Sequence, residues 1–313
     1  MSLALIFPGQ GSQYVGMCAA LAAAEPKAAE VLATANRVLG FDLVRLMREG
    51  PEGELTETKN AQPAILVHSV AALEVARDRL GPVAIAAGHS LGEFSAHVAA
   101  GTLSFEDALG AVRLRGELMF AAGLERPGAM AAVLGLGEAE TEVVCARVDA
   151  GTCQPANFNS EGQVVISGDT AGVEQGMRLL KEAGARKVIP LKVSGAFHSS
   201  LMEPAAGPLR SRLEAIEFRN PTFPVVSNVT ARPVTTGGEA RELLVRQLTS
   251  PVRWSASVAT MVGAGADSFL ELGPGKVLTT LNRRNATAAT STPLGEPADF
   301  AALAGSLGSH ERT

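Results

Sequence analysis

Cysteine is scarce in this 313-residue chain: there are three, Cys18, Cys145 and Cys153. That number and scatter supply neither a disulfide framework nor a zinc site, and they suit a reducing cytoplasm. Aromatic residues make up 4% of the chain against 46% hydrophobic residues overall, so the core must be built from Ala, Val, Leu and Ile. No long basic run occurs and the formal net charge is −5. The chain as a whole therefore has no electrostatic pull toward nucleic acid or an anionic membrane surface. No uninterrupted apolar stretch is long enough to span a bilayer. The first residues, Leu3-Ala4-Leu5-Ile6-Phe7, read as a core strand, with no basic segment or cleavage site of a signal peptide.

Against this background, Gly88-His89-Ser90-Leu91-Gly92 carries the most information. The G-x-S-x-G pattern is that of a nucleophile elbow, a serine on a sharp turn between a strand and a helix. Its flanks agree. Val83 to Ala87 is a short apolar run of strand type, and Glu93 to Ala100 can continue as a helix that stops at Gly101. A tight structural turn without chemistry would show the same string.

The remaining pattern is α/β. Helical periodicity dominates from about Tyr14 to Leu80, and Ser104 with Asp107 three residues on opens a helix that carries Arg113 and Arg115. From Gly128 to Pro190 the character changes to a βαββαβ order, the split arrangement of a ferredoxin-like unit. The expected organisation is a hydrolase-like catalytic subdomain with a parallel sheet, formed by residues 1–127 and 191–284. A ferredoxin-like insert occupies residues 128–190. Residues 285–313, rich in Ala, Thr, Ser, Pro and Gly, are expected to form a loosely ordered tail.

A serine hydroxyl needs a base. Of the five histidines, His89 adjoins Ser90 and is placed to support the turn. His97 lies about 10 Å along the following helix by helical rise. His68 sits in an apolar helical stretch, and His310 in the tail. His198 remains, in a loop before a predicted helix, where functional groups concentrate. No Asp occupies an obvious active-site loop between His97 and His198, so the group that orients the imidazole can be a backbone carbonyl. That departs from an ordinary α/β-hydrolase, which needs an acid there. An oxyanion requires two N–H donors. Leu91 N–H is a natural first, and the Gly9-Gln10-Gly11 loop is available as a second. The same loop also admits a phosphate-cradle reading, but Tyr14 stands where a third Rossmann glycine is required and no Walker lysine follows.

Seven segments now stand in one order: Phe7-Pro8-Gly9-Gln10-Gly11-Ser12-Gln13, Gly88 to Glu93, Arg115-Gly116, Asn157-Phe158-Asn159-Ser160, Phe197-His198-Ser199, Pro251-Val252-Arg253-Trp254 and Glu271 to Gly275. In this the chain resembles the malonyl-CoA:acyl carrier protein transacylases of fatty acid synthesis and the acyltransferase domains of polyketide synthases. The resemblance covers nearly everything from Leu3 to Arg284. It implies Ser90 as nucleophile, His198 as base, and Gln10 and Leu91 as oxyanion donors. It also implies that the Gln247 main chain orients His198, and that Arg115 binds the malonyl carboxylate. Phe197, Asn159 and His89 are expected as further substrate-binding residues. Bulk at Phe197 resembles malonyl-selective members, where no room is left for an α-methyl group.

The implied reaction carries malonyl from coenzyme A to the phosphopantetheine thiol of acyl carrier protein, a transient partner, through a malonyl-serine ester. It requires no metal and no organic cofactor, nucleic acid or membrane, and the enzyme is expected to be a cytoplasmic monomer. Arg186, Lys187 and Lys192 are candidates for docking the acidic carrier protein. Fatty-acid enzymes and discrete polyketide acyltransferases share these motifs. A serine esterase or thioesterase would share Ser90 and His198 without needing Arg115 or a carrier protein.

Overall fold

The computed structural model describes residues 2–193 and 195–308. Among the described residues ten strands divide between two sheets. The larger sheet comprises β1 (Leu3–Phe7), β2 (Val83–Gly88), β7 (Val225–Val226), β8 (Pro233–Val234), β9 (Ser268–Leu272) and β10 (Thr290–Leu294). Its order is β10-β9-β1-β2-β7-β8, and only the β7–β8 pair is antiparallel. The central strands β1, β2 and β9 are near-continuous apolar runs because both faces are covered. Side chains alternate across a strand. Leu5 and Phe7 accordingly join the core formed with helices Thr58–Ala76, Gly92–Ala99 and Phe105–Glu125. Ala4 and Ile6 pack on the other face with Trp254, Val258 and Leu281, from helices Trp254–Gly263 and Val277–Asn285.

The second sheet comprises β3 (Gly128–Leu134), β4 (Cys153–Ser160), β5 (Gln163–Asp169) and β6 (Lys187–Pro190). Its order is β4-β5-β3-β6, antiparallel throughout. With helices Glu138–Cys145 and Thr170–Glu182 it makes the βαββαβ unit predicted from the sequence pattern. This unit has its own small core of Ala131, Val133, Ile166 and Leu180. It is stitched to the larger unit by β4: Phe158 N–H donates to the Val252 carbonyl at 2.9 Å, and Val252 N–H to the Ala156 carbonyl at 2.8 Å.

The chain after Arg284 corrects the expectation of a loosely ordered tail over residues 285–313. Thr290–Leu294 is an edge strand parallel to β9, followed by a helix over Pro297–Gly308. The segment is fastened at several points. The His68 Nε2–H donates to the Gly295 carbonyl at 2.9 Å, Tyr14 and Glu296 form a side-chain hydrogen bond, and Phe300 is buried. Its Thr-Ser-Thr-Pro composition misleads because an edge strand is covered on one side only. It needs no apolar run, and it tolerates a proline. Residues 309–313, including His310, lie outside the described residues.

Among the described residues no helix is long and apolar enough to cross a membrane. His97 is fully buried within the Gly92–Ala99 helix, and neither ring nitrogen has a hydrogen-bond partner among the described residues. Burial pushes its pKa down to about 3. The folded protein therefore keeps the ring neutral, while the unfolded chain takes a proton below about pH 6.5. Folding stability is lost as pH falls from there toward 3, by up to about 1.4 kcal/mol per pH unit for this group. Replacing His97 with Leu should remove that loss. Urea unfolding of H97L and the parent at pH 7.5 and pH 5 should show the stability difference moving in favour of the variant at pH 5. An unchanged difference would mean that folding does not suppress His97 protonation.

Candidate active site

The parallel register sets Phe7 beside Gly88 at the carboxyl ends of β1 and β2, so the loops that follow emerge side by side. One carries Gln10 and the other Ser90. The elbow is crowded enough to exclude side chains. A Cβ at Gly88 would lie 1.9 Å from the Gly92 carbonyl carbon, and one at Gly92 would lie 2.3 Å from the Phe7 oxygen. Ser90 itself has φ +53°. A non-glycine residue there costs on the order of 1–3 kcal/mol and persists only where neighbours hold it. Asn228, two residues past β7, is the principal clamp: its Oδ1 accepts from Ser90 N–H at 2.7 Å and its Nδ2 donates to the Gly88 carbonyl at 2.7 Å. The Gln247 side chain adds a bond from Nε2 to the Ser90 carbonyl at 3.0 Å.

Ser90 Oγ lies 2.8 Å from His198 Nε2. The opposite ring nitrogen, Nδ1, faces two carbonyls, Gln247 at 2.9 Å and Ser250 at 3.2 Å. Carbonyls only accept, so Nδ1 carries the proton and Nε2 presents its lone pair to the serine hydroxyl. His198 is 4% exposed. Burial first, then the nearby positive charge of Arg115, pushes its pKa down to about 3. The imidazole is neutral at ordinary pH and free to take a proton.

Arg115 projects from the Phe105–Glu125 helix into the same space and is 1% exposed. The helix can sit this close because its next residue is Gly116, where a Cβ would lie 2.9 Å from the Thr58 oxygen. The guanidinium donates to Gln62 Oε1 at 2.6 Å, Gln247 Oε1 at 2.9 Å and Ser90 Oγ at 3.0 Å. Nε finds no partner among the described residues. Every acceptor is neutral. Burial lowers the Arg115 pKa to about 10, with Glu93 acting in the opposite direction, so the group remains charged at neutral pH. A buried cation whose direct partners are all neutral carries the cost of an unpaired charge.

A cavity of about 320 Å³ joins these groups and is lined by Gln10, Leu91, Ser90, Arg115, Phe197 and His198. Among the described residues neither the Gln10 nor the Leu91 backbone N–H is engaged in a hydrogen bond. Leu91 immediately precedes the Gly92–Ala99 helix, whose dipole favours negative charge at that end. Gln10 is held from behind through Thr58, whose hydroxyl donates to Gln10 Oε1 at 2.7 Å.

Asn159 stands apart from the residues around this cavity. It lines a neighbouring one, where its Oδ1 lies 2.9 Å from His89 Nε2. His89 borders both cavities. Lys192 reaches the rim of the main cavity, whereas Arg186 and Lys187 are exposed on the smaller unit. No cluster of three or more metal-ligating side chains occurs among the described residues.

Asn228, Gln62 and Glu93 were not singled out by sequence reasoning. The first two carry no local signal. Glu93 directly follows the elbow and could have been questioned as a carboxylate in an apolar helix; it is fully buried.

Comparison with known proteins gives the chain a family. The family profile described as acyl transferase domain matches residues 4–309. The chain is 46% identical over 301 residues to the malonyl CoA-acyl carrier protein transacylase of Escherichia coli K12, covering 96% of this chain and 97% of that one. It is 46% identical over 297 residues to the Bacillus subtilis 168 protein of the same name, covering 93% and 94%. Among solved structures, an acyl carrier protein S-malonyltransferase from Vibrio cholerae superposes with a TM-score of 0.93 at 42% identity, covering 97% of this chain and all of that one. A malonyl-transacylase solved in complex with a type II polyketide synthase acyl-carrier protein gives the same TM-score and identity, covering 97% and 99%. With its serine elbow, buried histidine and buried arginine on this scaffold, the chain belongs to the acyl transferase domain family.

Proposed function

We propose that this protein is a malonyl-CoA:acyl carrier protein transacylase that supplies extender units for fatty acid biosynthesis. The observation that carries the reading is Arg115, a buried guanidinium beside Ser90 Oγ with neutral direct partners. Malonyl is an acyl group that ends in a carboxylate, and a guanidinium fork takes a carboxylate through two parallel hydrogen bonds. An acetyl or longer alkyl chain would leave the cation without a charge partner.

The chemistry follows from the atoms in contact. His198 Nε2 accepts the Ser90 proton as Oγ attacks the thioester carbonyl. The Gln10 and Leu91 N–H groups receive the oxyanion, and coenzyme A leaves with the proton from His198. The phosphopantetheine thiol of acyl carrier protein then attacks the malonyl-serine ester; His198 takes the thiol proton and returns it to the departing Ser90 Oγ. Gln247 contributes its carbonyl to His198 and its side chain to Arg115, fixing base and anion receptor to each other. Phe197 lines the cavity next to the base, where its bulk would disfavour an α-substituent. Asn159 acts through His89, which it orients. Three free thiols suit a cytoplasmic setting. Of the three basic candidates, Lys192 is the one that lines the cavity through which the carrier's thiol would enter.

One neighbour partners a polyketide carrier protein, so the identity of the carrier is a separate question from the transfer chemistry. Three outcomes are expected. Ser90→Ala should form no covalent malonyl adduct by mass spectrometry; an adduct at parental yield would end the assignment. Arg115→Ala should lose malonyl transfer by about a hundredfold or more relative to acetyl transfer, since the charge pair is worth several kcal/mol. Parental discrimination in that variant would place the carboxylate elsewhere. Lys192→Glu should raise the KM for acyl carrier protein while leaving malonyl loading from coenzyme A intact. An unchanged KM would remove Lys192 from the dock.

A further inference from the structure

Among the described residues Glu93 is the one carboxylate that hydrogen-bonds to this machinery, and the reaction described above gives it no part. It is fully buried. Its Oε2 accepts from Gln247 Nε2 at 2.6 Å and from Asn228 N–H at 3.1 Å, while Oε1 finds no partner among the described residues. The Gln247 amide is held at its other end by Arg115, whose Nη2 donates to Oε1 at 2.9 Å. Cation, amide and carboxylate thus form one hydrogen-bonded line, Arg115–Gln247–Glu93, with no direct ion pair. The amide dipole is aligned with both charges, its oxygen toward the guanidinium and its N–H toward the carboxylate.

We propose that Glu93 is the resident counter-charge of Arg115, kept one amide away so that the guanidinium face stays open, and that it is neutralised by a proton when the substrate carboxylate arrives. This rests on the reading that the malonyl carboxylate binds Arg115. A carboxylate in direct contact would block the receptor with a permanent ion pair. With no carboxylate at all, the empty site would hold an isolated buried cation. Placement through Gln247 avoids both. Once a second negative charge sits on Arg115, two carboxylates share one cation, and the more deeply buried one takes up a proton from solvent.

The surroundings permit this. The charged group acting on Glu93 is Arg115, from the Phe105–Glu125 helix; the other groups facing it are the polar Ser227, Asn228 and Gln247. His97, on the same helix as Glu93, is held neutral by burial. Burial, offset in part by these hydrogen bonds, lifts the Glu93 carboxyl to about 7 in the unliganded protein. A further negative charge nearby can only raise it. The liganded state therefore binds the proton more tightly, and malonyl binding is favoured as pH falls and weakened as pH rises through 7.

The test is the pH dependence of malonyl loading in the parent and in Glu93→Gln, whose amide oxygen can still accept from Gln247 and Asn228. In the parent the KM for malonyl-CoA should rise with pH above about 7, by up to about tenfold per unit. In E93Q it should be roughly three- to tenfold lower at pH 8 and nearly flat with pH, because the competing charge is gone. The acetyl-CoA KM should show neither effect in either protein. A parental slope in E93Q, or a change in kcat alone, would overturn the proposal and leave Glu93 as scaffolding. Should E93Q fold poorly, calorimetry of malonyl loading in two buffers of different ionisation enthalpy measures proton uptake in the parent directly. Uptake approaching one proton near pH 8, absent in Arg115→Ala, is expected; zero uptake in the parent would overturn the proposal. Arg115→Ala retaining full malonyl discrimination would instead refute the underlying assignment of the carboxylate site, so the two failures are distinct.

Discussion

The buried guanidinium of Arg115 is the constraint around which the site is organised. Three neutral oxygens satisfy part of its hydrogen-bonding capacity, from Gln62, Gln247 and Ser90, and none of them cancels its charge. Each acceptor leads onward. Gln62 donates to Thr58, which holds the Gln10 loop. Gln247 offers its carbonyl to His198 and its amide to Glu93. The proposed nucleophile, base, oxyanion loop and anion receptor are therefore not four independent placements. They belong to one polar network inside an apolar shell, where a low dielectric strengthens every link and penalises every gap.

The elbow shows how strain is retained. Ser90 and His198 both have positive φ, at +53° and +58°, and both are held by long-range partners. Asn228 closes on the Ser90 N–H and the Gly88 carbonyl, while two backbone carbonyls fix the His198 ring. Carbonyl acceptors fix the His198 tautomer as an Asp would, without placing a carboxylate in contact with the base. That is consistent with a site whose proposed substrate is itself an anion. A carboxylate directly behind His198 would raise the imidazole pKa and oppose malonate binding.

The two-unit architecture sets the cavity rather than the chemistry. The parallel sheet delivers the Gln10 and Ser90 loops side by side because β1 and β2 are neighbours in register. The βαββαβ unit contributes Met130 and Asn157 to the cavity and is tied down through β4 and Val252. The C-terminal strand and helix close the opposite edge of the sheet, where Gly295, Glu296 and Phe300 engage residues far away in sequence.

Short-range crowding is written in short stretches of sequence. The elbow glycines, the apolar strand before them and the capped helix carrying Arg115 were legible for that reason, as was the alternating pattern of the inserted unit. His198 was reached by elimination, and the absence of an acid pointed to carbonyl acceptors, which the Gln247 and Ser250 carbonyls supply at Nδ1. What the sequence did not mark were the neutral side chains that clamp the site from far along the chain. Asn228 meets Ser90 across 138 residues and Gln247 meets Glu93 across 154, with no local pattern marking either. The polar edge strand after Arg284 was missed for a related reason, since its pairing with β9 supplies the order that its composition does not. By itself the sequence determined which serine is set on a strained turn and which families of fold could hold it. Only the tertiary structure decided that Arg115 is buried with neutral direct partners, because burial and charge balance are properties of everything that packs around a residue.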